Sequence, residues 1–262
     1  MANYIGSDFT PPDVIGKVTG KAKYAEDIHV DGMVYARLLS SPVPHARIKS
    51  MDLSEALAMD GVVGVLTADD VPKSAVPRAA ILTNKPVFVG DPILAIAAVD
   101  ETIATNAIQK VRIDYEPLPF CVDPITSLGP DGSNARDEGN VYAPQGFGDN
   151  TTTPEKVKWT QEQLDAFLAG QPPEGDMPIQ WSVGDVDEGF DQAAYVIQQN
   201  FVTAGYAHHS MEPRSSMAYW ENGKCFLHGP NQSQTAPMPG LARMIGIDLE
   251  DLVFINENCG GG

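Results

Sequence analysis

The chain has 262 residues, 43% of them hydrophobic, with 17 Lys and Arg against 35 Asp and Glu. This length and composition predict a soluble globular protein of one or two domains with a substantial core. The formal net charge of −18 repels phosphate backbones and anionic bilayers, so nucleic acid and membrane surfaces are poor candidates as partners.

The three cysteines, Cys121, Cys225 and Cys259, are far apart and form no CxxC pair. Their spacing argues against a disulfide framework, a zinc site or an iron–sulfur cluster held by this chain. The first residues lack the basic and apolar regions of a secretory signal, and no apolar run is long enough to span a membrane. We therefore expect a cytoplasmic location.

Short apolar runs alternate with turn signals over residues 24–123, a pattern that predicts strands. The predicted strand sequences are MVYARLLSS, RIKSMDL, GVVGVLTADDV, PVFVG, PILAIAAVD and KVRIDYEPL. Apolar residues at helical spacing predict helices over residues 53–59 and 101–108, the second following an acidic residue suited to capping. Mixed helices and strands with short connections indicate an α+β fold.

Residues 124–180 are rich in Pro, Gly, Asn and Asp, which predicts a long surface excursion. One helix is predicted over residues 160–168, where Thr160 and Gln163 fit a capping box and Gly170 precedes two prolines. Beyond Trp181 the predicted strands are AYVIQQNFVTA, SSMAYWE, KCFLHG and LVFINEN, and a helix is predicted over residues 239–245.

Two short polar segments could carry chemistry. Three glycines follow an apolar strand at residues 260–262, where the backbone could approach a ligand closely, although a flexible chain end is an equal alternative. In HHSMEPR, adjacent His208 and His209 on an extended chain face opposite sides, so one is better explained as a core histidine than as a metal ligand. Pro213 restrains Glu212, for which a site role and a buried pair with Arg214 both remain open.

A third candidate is the loop GPNQSQTAP, which precedes the predicted helix over residues 239–245. The amides of Gln232 and Gln234 near a helix N-terminus suit an oxyanion or a metal-bound oxo group, while a solvated surface loop is the alternative. The sequence contains no GxGxxG fingerprint, Walker loop, nucleophile elbow or HExxH motif. The commonest nucleotide-binding and hydrolase classes are therefore not supported.

Longer segments resemble one known family. VTGKAKYAEDI, VYARLLSSPVPHARIKSMDLSEALAMDGVVGVLTADDVP and FVGDPILAIAAVDETIATNAIQKVRIDYEPLP resemble the a/b hammerhead domain of the xanthine dehydrogenase and aldehyde oxidase family of molybdenum hydroxylases. GDVDEGFDQAAYVIQQNFVTAGYAHHSMEPRSSMAYWENGKCFLHGPNQSQ and INENCGGG resemble the opening of the molybdopterin-binding region in the same large subunits. The resemblance implies a hammerhead domain over 17–124 and the start of a molybdopterin-binding domain over 181–262. The composition of residues 125–180 makes them a linker or insertion between the two, and the resemblance does not cover residues 134–180.

The resemblance also implies a cofactor and an activity. The cofactor is molybdenum on a pyranopterin, as molybdopterin or its dinucleotide form, and oxygen from water is inserted into an activated C–H bond of an aldehyde, purine or N-heterocycle. Electrons then pass to 2Fe–2S and FAD centres on partner iron–sulfur and flavin subunits. Gln232 matches a glutamine that hydrogen-bonds a metal oxo ligand, and Glu212 matches a carboxylate of site structure. Gly260, Gly261 and Gly262 match the start of a glycine loop over the cofactor.

The family's general-base glutamate belongs to a later part of a longer subunit, so we expect no catalytic base in this chain. The remainder of the subunit, on the same or a separate chain, is then a required partner. The alternative is a non-catalytic structural or assembly chain that reuses the fold. Gln232 beside a glycine loop favours the oxidoreductase component, because a scaffold does not need that combination.

Overall fold

The computed structural model describes residues 5–72, 81–133, 158–171, 183–197, 199, 201, 203–205 and 207–261. The chain divides into two compact units, one formed by residues 34–204 and the other by residues 1–33 with 205–262. In the described ranges the helices are α1 (Val14–Val18), α2 (Ser54–Leu57), α3 (Glu101–Ile108), α4 (Pro124–Leu128), α5 (Gln161–Leu168), α6 (Val186–Gln192) and α7 (Met238–Ile245). The strands are β1 (Tyr35–Ser40), β2 (Ala46–Asp52), β3 (Val62–Leu66), β4 (Pro92–Ala98), β5 (Arg112–Pro117), β6 (Met217–Glu221), β7 (Lys224–His228) and β8 (Leu252–Ile255).

The unit of residues 34–204 is built around strand β4. This strand lies between β1 and β3 in an antiparallel sheet, while β2 and β5 form a separate antiparallel pair. Ile93, Leu94 and Ile96 are completely buried, which means that both faces of β4 are covered. Its continuous apolar sequence PILAIAA is typical of a strand in that position. The predicted mixture of helices and strands is confirmed.

Helix α3 packs against β1 and β4 and begins where its sequence predicts. The carboxylate of Asp100 accepts hydrogen bonds from the backbone N–H of Thr102 at 2.7 Å and of Ile103 at 3.3 Å. These two donors would have no partner inside the helix, so the aspartate satisfies the first turn. The predicted acidic cap is confirmed.

The predicted strand over PVFVG is wrong, because this segment forms a turn. The backbone N–H of Val87 donates to the Asp91 carboxylate at 2.9 Å, and that of Gly90 donates to the Ser41 carbonyl at 2.8 Å. Both N–H groups therefore bond to acceptors outside the segment and are not available to a strand ladder. Phe88 and Val89 are exposed, so the apolar run does not mark a buried strand.

Each of the two described parts of the excursion, residues 124–133 and 158–171, contains one helix. In α5, Gln163 N–H donates to the Thr160 hydroxyl at 3.2 Å and Thr160 N–H donates to the Gln163 amide oxygen at 3.0 Å, which confirms the capping box. Pro172 and Pro173, which we expected to stop the helix beyond Gly170, lie outside the described residues.

Helix α4, which the sequence did not lead us to expect, begins at Pro124 after the cap Asp123. The Lys158 ammonium donates to the carbonyls of Ser127 at 2.8 Å and Gly132 at 2.6 Å. These bonds tie the segment before α5 to the end of α4, although the two are distant in sequence.

The second unit contains the sheet β6–β7–β8, in which β6 and β7 are antiparallel and β7 and β8 are parallel. Parallel neighbours need a crossover, and α7 provides it. This helix packs Ala242 against Cys225 and Leu252, and it ends at Gly246, whose φ of 75° suits a glycine C-cap. The three predicted strands and the predicted helix of this region are confirmed, the helix starting one residue earlier.

The predicted strand AYVIQQNFVTA is not seen, because none of the described residues between 194 and 204 belongs to a strand. Tyr195, Ile197 and Phe201 are 91%, 82% and 84% exposed. A strand-like sequence forms a strand only when another strand pairs with it. Helix α6 just before this segment was not predicted.

Candidate functional site

A cavity of about 600 Å³ lies in the second unit, where β7 and β8 end. Because these strands run parallel, their carboxyl ends meet at one edge of the sheet, the place where open sheets commonly bind ligands. Leu227, Leu241 and Phe254 give the cavity an apolar wall, while the loop after β7 and the chain before β6 supply polar side chains. We call it the sheet-end cavity. Its size and mixed lining suit a small organic ligand.

The loop between β7 and α7 brings Gln232 to the sheet-end cavity. The loop is held by the end of β8, since the Asn256 side-chain amide donates to the Asn231 carbonyl. Gln234 donates from Nε2 to the Asn256 carbonyl at 3.2 Å. Both glutamines are exposed, but they differ in role, because Gln234 anchors the loop while Gln232 lines the cavity.

Glu212 also lines the cavity and lies against Gly260. Its Oε2 accepts the backbone N–H of Gly260. A Cβ placed on Gly260 would lie 2.6 Å from the Cβ of Glu212, and one placed on Gly261 would overlap the Ser210 side chain. The glycines thus permit a close backbone approach. Arg214 is exposed, so the open alternative of a buried pair between Glu212 and Arg214 is not supported.

Two polar atoms in the cavity lining, Glu212 Oε1 and Ser215 Oγ, are buried and have no hydrogen-bond partner within the described structure. Buried polar atoms in this state normally have a ligand or water as partner. A pterin presents ring N–H donors and acceptors, and Arg214, which also lines the cavity, suits a phosphate. The residues present therefore fit a phosphorylated pterin.

The two histidines do not contribute to the sheet-end cavity as the structure describes it. Both His208 and His209 are exposed, so the interpretation of one as a core histidine is wrong. His209 has a φ of 50°, which means that the chain is not extended there. The described part of the chain contains no group of three or more His, Cys, Asp or Glu that could hold a metal ion.

Of the other sequence candidates, Gly260 lies beside Glu212 and Gly261 lies beside Ser210, whereas Gly262 lies outside the described residues. Asn231, Asn256 and Ser215 were not singled out from the sequence. The available signal for Asn256 is a polar residue that ends the apolar strand β8. Its partner lies 25 residues away, so the pairing depends on the tertiary fold.

Two family models match the chain. Residues 19–119 match a model described as the a/b hammerhead domain of aldehyde oxidase and xanthine dehydrogenase, and residues 170–262 match the molybdopterin cofactor-binding domain. The residues that line the sheet-end cavity all lie within the range that matches the molybdopterin cofactor-binding domain. The domain boundaries at residues 124–125 and 180–181 remain predictions.

The chain is 28% identical over 257 residues to a probable xanthine dehydrogenase subunit of Bacillus subtilis, covering 95% of this chain and 30% of that one. It is 38% identical over 128 residues to the carbon monoxide dehydrogenase large chain of Afipia carboxidovorans, covering 45% and 16%. The solved aldehyde oxidoreductase of Desulfovibrio desulfuricans is 24% identical and aligns with a TM-score of 0.75 over 98% of this chain and 27% of that one, a likeness of fold.

The chain belongs to the molybdenum hydroxylase family of xanthine dehydrogenases and aldehyde oxidases, and it corresponds to the N-terminal portion of their large subunits. It spans less than a third of the length of the relatives named above. In the described ranges no helix is both long and apolar enough to cross a membrane.

Proposed function

We propose that this chain is the molybdenum-cofactor-binding subunit, or part of one, of an oxidoreductase that hydroxylates an aldehyde, purine or N-heterocycle. The observation that carries the proposal is the sheet-end cavity, which Gln232, Glu212 and Gly261 line together within the molybdopterin-binding region. The three free cysteines suit a reducing cytoplasm as the location.

Particular residues would hold the cofactor. The Gln232 amide would donate to an oxygen of the metal centre, and the backbone of Gly261, next to the Gly260 that Glu212 holds, would form part of the wall around the cofactor. For Gly262, a role in cofactor binding stays a prediction from the family resemblance. The bound molybdenum supplies Lewis-acid activation of water and an electron sink. Glu212 has one oxygen held by Gly260, so its role is in site structure.

The remaining machinery belongs to partners. The general base lies in the rest of the subunit, and 2Fe–2S and FAD centres on iron–sulfur and flavin subunits receive the electrons. Support comes from relatives whose names describe multi-subunit enzymes, such as subunit gamma of the 6-hydroxypseudooxynicotine dehydrogenase complex of Paenarthrobacter nicotinovorans.

The test is metal and pterin analysis of the complex purified from its native source, with mass spectrometry of every chain that co-purifies. We expect about one molybdenum and one pterin per cofactor site, with flavin and iron–sulfur chains present. An intact complex without molybdenum or pterin would overturn the proposal and leave the structural or assembly role.

A further inference from the structure

The backbone around the glycines is held at several consecutive residues. The Asn258 side-chain amide donates to the Lys23 carbonyl at 2.9 Å, and the Cys259 thiol donates to the Gly261 carbonyl at 2.8 Å. Between these bonds, Gly260 N–H donates to Glu212. Of these three partners, Glu212 and Gly261 also line the sheet-end cavity, whereas Lys23 does not.

The contact with Glu212 is charge-assisted, since a carboxylate accepts from a backbone N–H, and such bonds are stronger than those between neutral groups. The lack of side chains at Gly260 and Gly261 lets the backbone lie directly on Glu212 and Ser210. Pro213 fixes the backbone after Glu212, and its carbonyl accepts the Ser215 N–H at 3.0 Å, which closes a tight turn. The carboxylate is therefore presented by a restrained segment.

We propose that Glu212 is a positioning residue, which fixes the Gly260–Gly261 backbone at the cavity wall so that a bound pterin meets a preformed surface. The role toward the pterin rests on the proposed function, whereas the hydrogen bond between the Glu212 carboxylate and the Gly260 N–H does not. Oε2 holds the backbone, and Oε1, buried in the cavity lining, leaves one acceptor site for a ligand N–H. Loss of the carboxylate frees the glycine backbone and weakens cofactor retention.

The test compares Glu212→Leu, which removes the acceptor at similar size, with Glu212→Gln, which keeps an acceptor oxygen at the same length. Glu257→Leu, at an exposed glutamate on the same segment, is the matched control. Hydrogen exchange of the Gly260 amide is measured by mass spectrometry on the purified complex, and molybdenum and pterin contents are measured on the same samples.

We expect Gly260 exchange about tenfold faster in Glu212→Leu, the effect of losing one hydrogen bond to a charged group. Exchange in Glu212→Gln and Glu257→Leu stays close to the wild-type rate. The pterin content falls several-fold in Glu212→Leu and recovers in Glu212→Gln. Equal exchange in Glu212→Leu and Glu257→Leu would overturn the proposal, as would fast exchange in Glu212→Gln.

If Glu212→Leu fails to fold, Glu212→Asp serves in its place, because it keeps the charge but is one methylene too short to reach Gly260. Exchange in Glu212→Asp equal to that of the wild type would then overturn the proposal. The exchange measurement needs no cofactor. A wild-type complex without pterin therefore contradicts the proposed function alone, while unchanged exchange contradicts the positioning role.

Discussion

The side-chain amide of Asn256 donates a hydrogen bond to the backbone carbonyl of Asn231 and so joins the end of β8 to the loop after β7. Gln234 adds a second bond between the same two segments. Within the loop, the Asn231 carboxamide oxygen accepts the Ser233 N–H at 2.8 Å, which makes a local turn. Gln232 therefore lies on a loop that hydrogen bonds hold both before it, at Asn231, and after it, at Gln234.

Replacing Asn256 by Leu should loosen this loop. Because it removes a neutral hydrogen bond, we expect a loss of about 1 kcal/mol in the free energy of unfolding, together with faster hydrogen exchange over residues 231–236. Urea unfolding and exchange mass spectrometry measure the two effects. Asn106→Ala, at an exposed position of α3, is the control, and an equal effect in both variants would count against the fastening role.

Replacing Gln232 by Leu should affect activity without affecting stability. Gln232 is exposed, so we expect the free energy of unfolding to change by less than about 0.5 kcal/mol. Loss of its amide donor should lower kcat or molybdenum content about 10- to 100-fold. Gln109→Leu at the end of α3 is the control. If Gln232→Leu keeps the turnover and metal content of the wild type, Gln232 has no role in cofactor binding.

The cap of α4 predicts a pH dependence. The Thr126 backbone N–H, at 2.6 Å from the carboxylate, and then the Thr126 hydroxyl hold the pKa of Asp123 below its ordinary value. A lowered folded-state pKa means that Asp123 stabilises the fold above the unfolded pKa of about 4, and that this contribution disappears as the pH falls through the folded pKa.

The difference in unfolding free energy between the wild type and Asp123→Ala should therefore be present at pH 7 and shrink below about pH 4. Urea titrations across that range measure it. Asn106→Ala, at an exposed position of α3 that does not titrate, is the control, and its difference from the wild type should stay constant over the same range. If the difference in unfolding free energy grows as the pH falls, the ionised Asp123 carboxylate does not stabilise the start of α4.

The three thiols should react at different rates. Burial raises the pKa of the Cys225 thiol, which is 6% exposed in the sheet of the second unit. Cys121 and Cys259 are partly exposed. Iodoacetamide at pH 8 should label those two first, because alkylation requires an accessible thiolate. Mass spectrometry locates the label, and all three sites should react alike in urea; equal rates in the folded protein would contradict the buried position of Cys225.

The central strand of the first unit should be sensitive to truncation. Ile96→Ala removes a completely buried side chain and should lower the free energy of unfolding by about 2–5 kcal/mol. Val63→Ala on the neighbouring strand, where the side chain is 60% exposed, should change it by less than about 0.5 kcal/mol. Urea unfolding measures both, and similar losses would place Ile96 outside the core.

Local chemistry made parts of the fold predictable. The Asp100 cap, the Thr160–Gln163 capping box and the apolar run of β4 are signals that neighbouring residues carry by themselves. PVFVG failed because a carboxylate and a carbonyl outside the run take its N–H groups. AYVIQQNFVTA failed because a strand needs a partner that its own sequence does not specify.

The candidate site was predictable in part. Resemblance indicated Gln232, Glu212 and the glycines, and the structure places Gln232, Glu212 and Gly261 around one cavity, with Gly260 bonded to Glu212. The bonds between Asn256 and Asn231 and between Glu212 and Gly260 join residues far apart in the chain. No local pattern encodes such contacts, because they arise only when the sheet and its loops assemble.

The parallel pairing of β7 and β8 has an evolutionary consequence. Two loops leave the sheet at the same edge, and the strands below them are held by a backbone ladder that does not depend on loop sequence. Loop positions that make neither the Asn231–Asn256 bond nor the Glu212–Gly260 contact can therefore change while the strands keep their register. Proteins with this arrangement can change their ligand specificity through substitutions in the two loops, while the paired strands below the loops stay the same.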